Sequence, residues 1–170
     1  MASQNLVEYT VNQLIDHMQT NLPTALADVR TDRIDALVTT EPPQNSSYFI
    51  YEKIIGYKTP AIVTVATDVD FRLARGPNSV SALIGVVVSC VVEDRIANNL
   101  TIKTYRYSDA LYSVLNRAQF TDDVNLRKSI VKVTRMDFSR TVENVSQDTS
   151  NPFRKEVMLT LEVEHYENEV

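Results

Sequence analysis

Val80-Ser81-Ala82-Leu83-Ile84-Gly85-Val86-Val87-Val88-Ser89-Cys90-Val91-Val92-Glu93 decides the fold of this chain. The run is β-branched and apolar almost throughout and carries no helical period. It predicts a strand covered on both faces for part of its length. Just upstream, Ala61 to Leu73 reads as its partner. Ile62, Val63, Val65, Val69 and Phe71 are strand formers, and Pro60 fits the position before a strand. Between them, residues 74–79 are rich in turn formers. The two runs therefore read as a long antiparallel hairpin.

Working outward, residues 94–118 read as a helix with Ile96, Leu100, Tyr107, Leu111, Val114 and Ala118 on one face and Asp94 as its N-cap. A short loop around Thr121-Asp122-Asp123 leads to a third strand, Ser129 to Val142. Polar residues 143–152 form a loop. Arg154 to Tyr166 then alternates cleanly, with Val157, Leu159, Leu161 and Val163 toward a core. These two strands read as a second hairpin, and residues 167–170 as a frayed tail. Before the first hairpin, Val7, Val11, Leu14, Ile15, Met18 and Leu22 recur at helical spacing. Ser3 suits the start of that helix, and Pro23 its end or the start of a further short turn. Residues 31–60 form a long excursion with short extended pieces at Tyr48–Tyr51 and Ile54–Tyr57, of the kind often used at interfaces. The expectation is one α+β domain over residues 1–170. Its plan is helix, β-hairpin, helix, β-hairpin, with a mainly antiparallel sheet packed by helices.

Composition narrows the chemistry. The net charge of −5 argues against a tight phosphate grip, which wants a basic surface. The chain's 3 glycines leave no phosphate-binding loop. Cys90 is the sole cysteine, so no internal disulfide forms, and its apolar setting marks an inert thiol. The N-terminus lacks the pattern of a signal peptide, and no run approaches the roughly 20 apolar residues of a membrane span.

No catalytic, cofactor or metal constellation stands out. His17 and His165 lie far apart in the chain. Ser89 and Cys90 sit mid-strand without an exposing turn. Asp68 with Asp70, and Glu162 with Glu164, each share a strand face; a solvated face explains them, and the lining of a channel is the other use. The tyrosines lack an interleaved basic patch and read as packing or interface residues. Arg72, Arg75 and Arg106 are candidates for salt bridges between subunits.

The layout, together with Tyr105-Arg106-Tyr107-Ser108-Asp109-Ala110-Leu111-Tyr112-Ser113-Val114-Leu115 after an apolar strand and a Glu93-Asp94 turn, resembles the tail terminator and tail-completion (neck) proteins of tailed bacteriophages. That resemblance implies a structural virion protein, assembled in the host cytoplasm. It implies a homo-hexameric ring that caps the tail tube, ends its growth and docks the head. Its partners would be the tail tube protein and a neck or head-completion protein, with genomic DNA passing through unbound. The loops 75–79 and 143–151 become contact candidates, which adds Asn78, Glu143 and Asp148 to the interface residues. The alternatives are another head–tail connector, a small ligand-binding or enzymatic domain, and a nucleic-acid adaptor.

Overall fold

The last strand organises the molecule. A computed structural model describes residues 5–32, 38–50, 58–72, 79–123, 126–139 and 152–168. Its elements are α1 (Leu6–Asp32), β1 (Tyr48–Phe49), β2 (Ala61–Arg72), β3 (Ser79–Asp94), α2 (Ala97–Leu115), β4 (Gln119–Asp122), β5 (Arg127–Phe138) and β6 (Phe153–Asn168). One six-stranded sheet runs in the order β1-β2-β3-β6-β5-β4. Both expected hairpins form, β2 with β3 and β5 with β6. The central pair, β3 and β6, joins the two hairpins along the full length of both strands, from Ser79 opposite Asn168 to Asp94 opposite Phe153. All these pairings are antiparallel; β1 alone runs parallel to its neighbour.

The fold class is the α+β plan expected, with both helices against one face. To that face β3 sends Ala82, Ile84, Val86, Val88, Cys90 and Val92, and β6 sends Val157, Leu159, Leu161 and Val163. They meet Leu14, Met18, Leu22 and Leu26 of α1 and Leu100, Tyr107, Leu111 and Leu115 of α2. Burying a side chain of this size contributes roughly 1.5–3 kcal/mol.

Several local expectations change. Ile96 and Ala118 lie outside α2 rather than on its inner face, and Ile96 is exposed. Pro23 neither ends α1 nor opens a new turn; the helix runs through it. Proline costs the hydrogen bond to the carbonyl four residues back. Pro23 lies on the exposed side, while Leu22 and Leu26 stay buried beside it and hold the helix against the sheet. Asp94 is the last residue of β3 rather than the helix cap. Its Oδ1 accepts the Ile96 N–H at 2.9 Å and Lys103 Nζ lies 2.5 Å from Oδ2, so it ties the turn to the first part of α2. Those hydrogen bonds, outweighing the burial that opposes them, hold its carboxyl below the usual range. Residues 119–122 are a strand where a loop was expected. The frayed tail is also partly wrong, since Glu167 and Asn168 continue β6.

Candidate assembly surface

The two margins of the sheet are where further strand pairing would be available. β1 gives the sheet two residues, paired with Ile62 and Val63. From Thr64 to Arg72, β2 has β3 on one side and, among the described residues, no strand on the other. The far margin is built alike. β4 pairs with Arg127 to Ile130. The turn after α2 then covers two residues more: Arg117 N–H donates to the Val131 carbonyl and Val131 N–H to the Ala118 carbonyl, each at 2.9 Å, and Val133 N–H donates to Asn116 Oδ1 at 3.4 Å. Arg117 reaches that place at φ 68°, the left-handed conformation that often ends a helix. From Lys132 to Phe138 no described strand lies beside β5.

The margins differ in charge. On β2 the exposed Asp68 and Asp70 share the face turned away from the helices; on β5 Lys132 and Arg135 share that same face. Each strand is also bulged, at Ala66/Asp68 and at Val133/Arg135. Charges and bulges are common guards on edge strands. Aromatic side chains are not, and each margin carries one. Phe71 is 70% exposed. Phe138 is 42% exposed and stands edge-on to Tyr105 of α2, with ring centroids 5.4 Å apart.

Of the interface residues read from the sequence, Arg72 lies at the end of β2, reaching across β3 to Glu164 at 3.6 Å. Both side chains are about half exposed, so that pair holds little by itself. Arg106 is placed differently from expectation. It is 2% exposed, and its Nη1 donates to the Val38 carbonyl, so its charge serves the inside of the subunit. Arg75, Asn78, Glu143 and Asp148 lie outside the described residues. Cys90 is fully buried, and burial pushes its thiol pKa far up.

One polar constellation was not foreseen. Ser129 Oγ lies 2.9 Å from His165 Nδ1, and His165 Nε2 lies 3.7 Å from Glu167 Oε2. Arg127 donates to Glu167 Oε1 at 3.2 Å and sits 4.8 Å over the ring of Tyr9. Serine, histidine and glutamate in a row suggest acyl transfer. The setting opposes it: Ser129 is 1% exposed and His165 is 0% exposed, with no room for a substrate. Burial, outweighing Glu167, lowers the His165 pKa, so the ring is neutral near pH 7. The signal was present in the sequence, because His165 and Glu167 continue the inward register of Val157 to Val163. Among the described residues no cluster of three or more His, Cys, Asp or Glu is arranged to hold a metal ion, and no helix is long and apolar enough to cross a membrane.

No family model and no curated protein matches this chain. Among solved structures, a chain in the virion of the native gene transfer agent particle is similar at a TM-score of 0.36 and 12% identity, over 89% of this chain and 98% of that one. At that score the likeness carries no weight for fold or role.

Proposed function

We propose that this protein is a structural subunit that assembles head to tail with copies of itself, and that its place is the ring capping a phage tail tube. The observation that carries the self-assembly is the pair of oppositely charged sheet margins on opposite sides of one subunit, each with a stretch that no described strand pairs. Two different surfaces that complement each other make a heterologous contact. Such contacts close into rings when the rotation allows and otherwise grow into filaments. The finer reading, a hexameric terminator between tube and neck, rests on the likeness in layout to tail terminator and tail-completion proteins. In it the ring ends tube growth, offers the head a docking surface and lets DNA pass. An acidic chain suits a channel that must not hold DNA.

Native mass across a concentration range, with electron microscopy of the largest species, tests this. A closed ring with an open centre, its mass stepping up with concentration, is the expected result. A monomer at every concentration, with and without tube protein, overturns it.

A further inference from the structure

Resting on that head-to-tail reading, we infer that the Phe138–Tyr105 aromatic pair of one copy seats in the groove between α1 and β2 of the next. The β5 margin of the first copy then extends the β2 margin of the second as an antiparallel sheet.

Three observations converge. The first is direction. β2, β3, β6 and β5 alternate along the sheet. When two copies face the same way, β5 of one therefore meets β2 of the next antiparallel. The second is charge. In that arrangement Lys132 and Arg135 share a face with Asp68 and Asp70 across the junction, and opposite charges across a pair favour it. Arg135 already holds Asp137 at 2.8 Å; both are on the surface, so that pair is weak enough to exchange.

The third is shape. Beside the β2 margin lies an open groove of about 650 Å³, walled by Leu6, Val7 and Val11 of α1 and by Ile50, Val65 and Phe71. Ile50 is 59% exposed. Thr64, also in the lining, is fully buried, and its hydroxyl has no hydrogen-bond partner among the described residues. The knob offered at the β5 margin is two exposed rings, Phe138 of β5 and Tyr105 of α2, the second ending in a phenolic hydroxyl. Aromatic rings with a polar tip are favoured anchors at interfaces, and an unpaired buried hydroxyl is a reason to bind one.

The register adds a geometric consequence. Along the ladder Phe138 stands level with Val157, Cys90 and Ile62. The open part of β2 starts at Thr64, two residues on. Joining open part to open part slides each copy along the strands by about 7 Å or more. A stagger that accumulates around the circle is what closing a sheet requires.

The test is a charge exchange. D68K/D70K and K132E/R135E are made separately, and all four positions are exposed, so each variant is first matched to wild type in thermal unfolding. Each alone is expected to stay monomeric where wild type forms rings, and a 1:1 mixture is expected to restore rings of alternating copies. F138A is expected to weaken assembly about tenfold or more, and the unfolding temperature of the monomer, measured alongside, gives the separate and smaller cost of losing its contact with Tyr105. Wild-type rings that ignore all three variants overturn this interlock while leaving the ring intact as a reading. Variants that fail singly and also fail when mixed overturn the pairing of these two margins. A wild type that never assembles removes the ring, and the interlock with it.

Discussion

The inward face of β6 is two regions under one rhythm. From Val157 to Val163 every second residue is apolar and fully buried. From His165 to Glu167 the rhythm continues with equal burial, but the residues are polar and meet Ser129, Arg127 and Tyr9. In the first region any well-packed apolar neighbour will do. In the second the groups are only partly paired: Arg127 Nε, His165 Nε2 and Glu167 Oε2 make no hydrogen bond among the described residues, and a buried polar group left so is costly. Periodicity thus decides which way a side chain points, and pairing decides what its burial costs.

Substitutions can set the two regions against each other. Leu161→Ala, at the centre of the apolar region, is expected to cost about 2–5 kcal/mol in denaturant unfolding at every pH. Glu167→Gln leaves Arg127 without its carboxylate and is expected to cost about 1–3 kcal/mol, measured in the same way.

pH separates the regions further. Because the His165 pKa is lowered in the folded protein, the unfolded chain takes up the proton first as pH falls below about 6.5. Stability then declines toward a limiting slope of about 1.4 kcal/mol per pH unit, until the folded protein also protonates. His165→Gln is expected to remove that part of the decline; Leu161→Ala is expected to keep it. An unchanged slope in His165→Gln would assign the acid sensitivity to another group. The smallest effect lies outside both regions. Arg117→Gly is expected to gain up to about 1 kcal/mol, by relieving a side chain held at positive φ.

Much of the frame was legible because it rests on local patterns. The apolar run from Val80 to Val92 and the alternation of Val157 to Val163 announce the two central strands, and the leucine stripe announces α1. What escaped depends on neighbours far away in the chain. Gln119-Phe120-Thr121-Asp122 has a single apolar residue and becomes β4 only because β5 is there to pair with it. Pro23 reads as a stop, yet packing on both sides carries the helix through. Arg106 reads as a cation for contacts between subunits until the Val38 carbonyl takes its guanidinium inside. For the proposed assembly surface, Asp68 and Asp70 stand out in the sequence as a pair on one strand face. Lys132 and Arg135 do not, since only the order of strands makes them the opposite margin.

Gly85 carries a consequence for how this chain can vary. Opposite it, the bulge at Thr67 folds the Asp68 carboxylate back over the sheet, and the Thr67 hydroxyl holds it there at 2.6 Å. A β-carbon at position 85 would stand 2.2 Å from Asp68 Oδ1 and 2.6 Å from Thr67 Oγ1. Alanine there would evict the carboxylate and break its tether. The reach of one acidic group at the sheet margin is therefore set by a residue on another strand that has neither charge nor side chain. A side chain at 85 is accommodated only if those at 67 and 68 turn away.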